Sequence, residues 1–169
     1  MHKRCLSSFR ACFLTASALL LGLTAWFPAN ASAQRALSDG QYLYLPIYSF
    51  VRHGDAVRSG ATAQLPVSAL VSIHNTDMQR SLRVLSARFF STQGDFLRNA
   101  VPAPRTLKPM ETMEFMVERR DVAGGSGSNF VIQWQADTPV SPPLVQALHV
   151  ELQTNRALSF ITEAVVIAR

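Results

Sequence analysis

The sequence predicts an all-β fold, an immunoglobulin-like antiparallel β-sandwich of about seven or eight strands preceded by a signal peptide. Three observations predict it. Apolar residues recur at every second position over most of the chain after residue 40, as in strands with one buried face. Turn-forming residues separate these runs at short intervals. The same part of the sequence has no segment with apolar residues at helical spacing, so we do not expect the connecting helices of a parallel α/β fold.

The first 33 residues have the three parts of a secretory signal peptide. A start with Lys3 and Arg4 but no acidic residue is followed by an almost wholly apolar stretch, 11–27, and then by the small residues Ala-Ser-Ala at 31–33. The apolar stretch is shorter than the ~20 residues that a membrane-spanning helix needs. The sequence therefore predicts cleavage after Ala33, a periplasmic or secreted location, and no membrane span after cleavage.

Removal of this segment changes the charge and the cysteine count. The whole chain has 16 basic and 11 acidic residues, a net charge of +5, and two cysteines. Three of the basic residues and both cysteines lie in the predicted signal peptide, so the rest of the chain has 13 basic residues (16 less 3), a net charge of +2 and no cysteine. Disulfides, thiolate nucleophiles and zinc–thiolate sites are thereby excluded from it. An exported chain with so small a charge is predicted to have no nucleic-acid partner.

The remaining chain is predicted to consist of a flexible lead-in over 34–40 and one β-sandwich domain over 41–169. The predicted strands are 41–51, 64–75, 82–91, 95–99, 111–118, 129–136, 144–152 and 157–168. Trp134 is in phase with Phe130 and Ile132 and is the predicted core anchor. This number of antiparallel strands favours a sandwich over a closed barrel.

The patterns of two of these strands also predict an irregularity in one and the buried face of the other. The apolar phase of the third changes at Leu85, which predicts a bulge or a strand covered on both faces. In the seventh, Leu148 and Leu152 are expected to face the core, and His149 and Glu151 are expected to face solvent.

The segment Arg52-His53-Gly54-Asp55 resembles the Arg-His-Gly motif of the histidine phosphatases. That chemistry needs a strand-to-helix turn and a second catalytic histidine on an α/β scaffold. Because no helix is predicted after Asp55, we interpret the motif as a loop.

A metal site is a second hypothesis, with His53, Asp55 and His74 as its candidate ligands. Two histidines and a carboxylate brought together by the fold can hold zinc or copper. These residues do not have the close spacing of a local metal motif, so the site would depend wholly on tertiary structure.

A binding surface on the loops is a third hypothesis, because binding residues often lie on loops at one end of a sandwich. The glycine-rich segment 124–129 precedes a strand rather than a helix, so it is interpreted as a flexible loop and not as a phosphate cradle. The candidate binding residues are His53, Gly54, Asp55, Asn75, Asp77, Ser126 and Asn129.

Six segments in order resemble the signature of one protein family. They are Leu45-Pro46-Ile47-Tyr48-Ser49, His53-Gly54-Asp55, Ser72-Ile73-His74-Asn75-Thr76-Asp77, the segment from Gly124 to Phe130, Trp134 and Pro142-Pro143. Over about residues 40 to 168 the chain resembles an uncharacterised domain-of-unknown-function family of exported bacterial proteins. The resemblance implies a single exported bacterial domain and transfers no activity, ligand or catalytic residue.

The sequence therefore predicts an exported bacterial β-sandwich module without a cofactor, and favours a non-enzymatic one. We expect it to bind an envelope or extracellular protein, or a small ligand, through its loops. One alternative is a metal-binding or hydrolytic protein that uses His53, Asp55 and His74. Another is a structural accessory subunit that pairs an edge strand, such as the first, with another chain.

Overall fold

Strands form the regular secondary structure throughout the part of the chain that the structure describes. The structure is a computed structural model, and it describes residues 35–55, 60 and 62–168. The strands are β1 (Ser38–Ile47), β2 (Phe50–His53), β3 (Ala63–Pro66), β4 (Ser68–His74), β5 (Leu82–Phe90), β6 (Phe96–Asn99), β7 (Arg105–Leu107), β8 (Thr112–Val117), β9 (Ser128–Val140), β10 (Leu144–Gln153), β11 (Arg156–Glu163) and β12 (Val165–Ala168). The predicted signal peptide lies outside the described residues. Within them, no helix has the length and apolar character needed to cross a membrane.

The strands form two antiparallel sheets and a separate two-stranded ribbon. Sheet 1 has six strands in the order β12-β1-β9-β5-β6, with β7 also paired with β5, and sheet 2 has the order β11-β10-β4-β8. The ribbon consists of β2 and β3, which pair only with each other. Buried residues of both sheets belong to one hydrophobic core. The predicted all-β sandwich is therefore confirmed.

The central pairs of the two sheets are those of an immunoglobulin sandwich, whereas two flanking strands have exchanged places. The pairs β4–β8 and β5–β9 correspond to the B–E and C–F pairs. β1 lies beside β9, however, and β10 lies beside β4. The last strands, β11 and β12, add an edge to each sheet. β1 is therefore an internal strand over Tyr42–Tyr44, where it pairs with β12. The hypothesis of an accessory subunit that pairs its first strand with another chain had assumed a free edge strand there.

The eight predicted strands correspond to eleven of the twelve observed ones. Three predicted strands are each divided in two. Tyr48 and Ser49 interrupt the first, Val67 interrupts the second, and Ala164 interrupts the eighth. β7 follows two prolines and shows no alternation, so the sequence did not reveal it. β1 begins at Ser38, so the last three residues of the predicted lead-in belong to sheet 1.

The core lies between the sheets and is centred on β9. Phe130, Ile132 and Trp134 are at most 1% exposed, which confirms Trp134 as a core residue. The ring of Phe130 stacks on that of Phe89 from β5, with ring centroids 4.7 Å apart. Each such side chain stabilises the fold by about 1.5–3 kcal/mol through burial.

The predicted irregularity in the third predicted strand, now β5, is a bulge. Val84 pairs with Trp134 and Ser86 pairs with Gln133, so Leu85 has no partner on β9. The extra residue lets Leu82 and Val84 before the bulge, and Ala87 and Phe89 after it, all face the core.

The predicted orientation of β10 is wrong. The core-facing residues are Val145, Ala147, His149 and Glu151, each at most 3% exposed. Leu148 and Leu152 face solvent and are 39% and 71% exposed. The strand has apolar residues in both phases, and its pairing with β4 decides which set is buried.

Candidate functional site

The loops predicted to bind lie at opposite ends of the sandwich. His53, Gly54 and Asp55 lie at the tip of the ribbon, and Ser126 and Asn129 lie where β9 begins, in the segment that bonds to Ser49 at the base of the ribbon. We call this the ribbon end. The far end of the sandwich, where β4 terminates, carries His74, Asn75 and Asp77. β4 alone spans ~20 Å between the two ends, so the structure does not bring the seven candidate residues together.

The three candidate metal ligands are likewise separated. His53 is exposed on the ribbon, whereas the Nδ1 atom of His74 lies 2.9 Å from the Thr112 hydroxyl at the far end. A metal–ligand bond spans only ~2 Å. Within the described residues, no three His, Cys, Asp or Glu side chains are close enough to hold a metal ion, so His53, Asp55 and His74 do not form one ligand set.

Asn75 uses its side chain to hold two loops together. It is buried, and its Nδ2 donates to the carbonyl oxygens of Arg80, Leu107 and Lys108 at 2.8, 3.2 and 2.8 Å. Its Oδ1 accepts a hydrogen bond of 3.0 Å from the backbone amide of Asp77. These contacts engage both ends of the amide, so Asn75 has a structural role.

Asp77 stabilises the same loop from its other side. Its Oδ1 accepts hydrogen bonds of 2.9 Å from the backbone amides of Gln79 and Arg80, and its Oδ2 accepts one of 3.2 Å from Ser141. These amides, that of Gln79 foremost, lower the pKa of the Asp77 carboxyl from its ordinary value. The carboxylate is thus engaged in a turn of the kind that aspartate commonly forms.

The glycine-rich segment is packed onto the turn between β5 and β6. A Cβ atom on Gly124 would lie 2.6 Å from Cζ of Phe89, and Gly125 has a φ of +81°. The carbonyl of Gly124 accepts a hydrogen bond of 2.9 Å from the backbone amide of Thr92, and that of Gly125 accepts one of 2.9 Å from Ser49. Glycine is required here for close packing and for the left-handed backbone.

The ribbon end has a buried histidine that the sequence placed on the surface. The His149 ring stacks on Phe160 with centroids 4.5 Å apart and meets the Tyr48 ring edge-on at 5.8 Å. Its Nε2 accepts a hydrogen bond of 3.1 Å from the backbone amide of Tyr48, which places the proton on Nδ1. Burial lowers the pKa of His149 to about 4. Because the ring is fully buried, it cannot reach a substrate.

A buried carboxylate lies two residues further along β10. Glu151 is 3% exposed, and its Oε2 lies 2.8 Å from Nε of Arg119. Arg119, Arg120 and Val122 line an open groove of about 600 Å³ at this end. Both arginines are paired, Arg119 with Glu151 and Arg120 with Glu118. The groove therefore offers no uncompensated charge to an anion.

The outer face of sheet 2 carries a continuous apolar row. Ile161 on β11 pairs with Leu148 on β10, Leu148 pairs with Leu70 on β4, and Leu70 pairs with Met116 on β8. We call these four residues the apolar stripe. Ile161 and Met116 are each 58% exposed and Leu148 is 39% exposed. Single exposed apolar residues are ordinary, and it is contiguous apolar patches of several hundred Å² or more that are typical of interaction surfaces.

One side of the apolar stripe is acidic. In the adjacent row Glu163 pairs with Gln146, and Ser72 pairs with Glu114. The Gln146 amide donates to Glu163 at 2.7 Å and the Ser72 hydroxyl donates to Glu114 at 2.9 Å. These bonds hold two carboxylates beside the apolar residues.

Sequence reasoning missed the apolar stripe because it assigned Leu148 to the core. A signal was present, however. Val145 and Ala147 are apolar in the phase opposite to Leu148, so both faces of β10 carry apolar residues. Only one of the two faces can meet the core, and the other must face solvent or a partner.

Comparisons with known proteins identify a family but no activity. A family model described as "Protein of unknown function (DUF3124)" matches residues 40–167. No curated protein matches the chain. Among solved structures, the crystal structure of Thermotoga maritima 1070 is similar, with a TM-score of 0.42 and 10% sequence identity over 76% of this chain and 96% of that chain.

Proposed function

We propose that this chain, which belongs to the DUF3124 family of proteins of unknown function, is an exported, non-enzymatic module that binds a protein through the outer face of sheet 2. The apolar stripe carries the proposal. It crosses all four strands of the sheet, and its members at the two edges, Ile161 and Met116, are each more than half exposed.

The shape of this surface favours a protein over a small molecule as the partner. Small-molecule sites are concave and enclose most of the ligand, whereas the apolar stripe lies on the outer face of a sheet. Two carboxylates, Glu114 and Glu163, flank it on one side. A complementary partner surface has an apolar centre and basic side chains opposite these carboxylates.

The state of the loops supports a non-enzymatic role. Asn75 and Asp77 are engaged with backbone groups of their own loop region. His149 is enclosed by aromatic rings, and His53 and His74 lie at opposite ends of the sandwich. A catalytic group must instead lie within hydrogen-bond reach of a bound substrate.

The predicted signal peptide supports an exported location, periplasmic or extracellular. Its basic start, its apolar stretch and the small residues at 31–33 are the features that the secretion machinery reads. The partner is accordingly an envelope or extracellular protein.

Site-specific photo-crosslinking in the native cell tests the proposal. A photoreactive amino acid is placed at Met116 or Ile161 on the apolar stripe, or at Arg88, which is exposed on the outer face of sheet 1. We expect a covalent adduct with one other protein from Met116 and Ile161 and none from Arg88. Introducing Leu148→Asp should remove the Ile161 adduct, whereas Met78→Asp, an equally drastic change at the far end, should leave it.

Three results would contradict the proposal. They are equal adducts from Arg88, adducts that join only two copies of this chain, and the absence of adducts at all three positions. Thermal unfolding of each variant shows whether it is folded.

A further inference from the structure

β8 is an edge strand of sheet 2, and half of its backbone groups point away from the sheet. It pairs with β4 alone. At the start of this pairing the amide of Asn75 donates a hydrogen bond of 2.9 Å to the carbonyl of Glu111, and in an antiparallel pair such bonds recur at every second residue. The residues between the bonded ones therefore direct their N–H and C=O groups to the open side of β8. They are Thr112, Glu114 and Met116.

The outward backbone groups of β8 are available to another chain. Within the described residues, no hydrogen bond reaches the backbone N–H or C=O group of Thr112, Glu114 or Met116. The groups lie in a row along the strand, at the spacing of every second residue. An extended chain segment carries donors and acceptors at the same spacing, so it is the ligand that such a row recognises.

The other edges of the sandwich are blunted, whereas the edge of β8 is open. β6 and β7 have only four and three residues, and a bulge interrupts the pairing of β12. β11 passes into β12, and its Thr162 hydroxyl donates a hydrogen bond of 2.7 Å to the carbonyl of Pro46 on β1. β8 is paired with β4 without a register shift over six residues, and it contains neither proline nor lysine. It therefore lacks the features that commonly prevent an edge from pairing.

The open edge of β8 borders the apolar stripe. The side chains of Glu114 and Met116 are exposed on the outer face of sheet 2, where Leu148 also lies. In a strand beside β8, the residue opposite Met116 projects from this same face. An apolar residue there extends the apolar stripe by one strand.

The charge on β8 disfavours a second copy of β8 as this strand. A two-fold antiparallel pair that uses Thr112, Glu114 and Met116 of both chains places Glu114 opposite Glu114. Like charges directly opposite each other destabilise such a pair, whereas a basic residue opposite Glu114 stabilises it. The edge therefore favours a different chain with a basic residue at this position.

We propose that the protein partner of sheet 2 adds an extended segment to β8 as a fifth strand of this four-stranded sheet. The segment has an apolar residue opposite Met116 and a basic residue opposite Glu114. This proposal rests on the function proposed above and specifies how the partner binds. The backbone bonds provide affinity, and the two side-chain pairs provide specificity.

The yield of the Ile161 photo-adduct in native cells tests this proposal. Glu114→Pro removes an outward N–H group of β8, and proline is tolerated where the N–H of an edge strand faces away from the sheet. Glu114→Ala removes the same carboxylate but keeps the N–H group. We expect Glu114→Pro to give about tenfold less adduct than Glu114→Ala. Ala157→Pro, at an amide of β11 that faces away from β10, should give as much adduct as the unchanged chain.

Hydrogen exchange provides a second measurement that needs no change in β8. The Ile161 adduct is purified from cells, and mass spectrometry with fragmentation gives the exchange rate at single amides. We expect exchange at Glu114 and Met116 to be about tenfold slower in the adduct than in the free chain. Exchange at the outward amide of Ala157 should be the same in both. If thermal unfolding shows that Glu114→Pro does not fold, this measurement decides.

Two results would overturn the added strand and leave the protein-binding face in place. They are equal adduct yields from folded Glu114→Pro and Glu114→Ala, and unchanged exchange at Glu114 and Met116. An adduct that joins only two copies of this chain, or no adduct from Ile161 in the otherwise unchanged chain, would overturn both proposals.

Discussion

At the scale of a single residue, the burial of His149 could not be predicted from the sequence around it. In the sequence it alternates with leucine and valine, which is typical of an exposed polar position. In the structure Phe160 stacks on its ring and the Tyr48 amide donates to its Nε2. Tyr48 is about a hundred residues away in the chain, so local pattern did not reveal this contact.

The depressed pKa of His149 predicts a loss of stability in weak acid. The imidazole has a pKa of about 4 in the folded chain and an ordinary value of 6.5. Between these values the unfolded chain binds the proton and the folded chain does not, so the free energy of unfolding falls as pH decreases from 6.5 to 4. The total loss is about 3 kcal/mol. Urea unfolding at a series of pH values measures it.

Two variants assign this loss to His149. His149→Gln keeps an acceptor but cannot take up the proton, so stability should become nearly independent of pH between 6.5 and 4. His53→Gln, on the exposed ribbon, should leave the pH dependence in place because the surroundings of His149 do not change. An unaltered slope in His149→Gln would show that another group is responsible.

Asn75 and Asp77 illustrate a second limit at this scale. Both were among the candidate binding residues, but the same residue types serve ligand binding and turn stabilisation. The distinction depends on the carbonyls of Leu107 and Lys108, more than thirty residues away. Only the folded chain brings these atoms to Asn75.

At the scale of the element, prediction succeeded where one phase of a strand was apolar. In β9 the apolar residues Phe130, Ile132 and Trp134 alternate with residues that include two glutamines, and the predicted core face is the observed one. β10 is apolar in both phases, so its orientation was decided by its pairing with β4 and β11. The same ambiguity concealed the apolar stripe.

A pair of substitutions tests the orientation of β10. Val145→Ser places a hydroxyl in the core, where Val145 is 2% exposed, and should lower the free energy of unfolding by about 2–4 kcal/mol. Leu152→Ser alters a side chain that is 71% exposed and should change it by less than ~0.5 kcal/mol. Urea unfolding of both variants provides the comparison. A larger loss in Leu152→Ser would mean that the sequence-based orientation was right.

The order of the strands in the sheets could not be predicted from the sequence, for a related reason. Alternation of apolar and polar residues indicates that a segment is a strand but does not determine which strands pair with it. The exchange of β1 and β10 between the sheets, and the passage from β11 to β12 at Ala164, follow from pairings between distant segments. The fold class was therefore predictable and the topology was not.

At the scale of the whole molecule, the outer face of sheet 2 and the loops at the far end differ in character. The outer face of sheet 2 presents the apolar stripe, whereas the loop at the far end uses Asn75 and Asp77 in hydrogen bonds to backbone groups. None of the seven candidate binding residues lies on the apolar stripe, and Leu148 of the stripe was expected to face the core. The candidate residues were sought on loops, and the loop at the far end holds the fold together.

The central claim is that the apolar stripe is covered by a partner in the cell, and its methionine offers a direct measurement. Met116 is 58% exposed on the stripe, whereas Met78 and Met110, 81% and 66% exposed, lie at the far end. Brief peroxide treatment of intact cells and of the purified protein, followed by mass spectrometry, gives the sulfoxide fraction at each position. All three should oxidise in the purified protein. In cells, Met116 should oxidise several-fold less than Met78 and Met110, and equal oxidation of all three would contradict the claim.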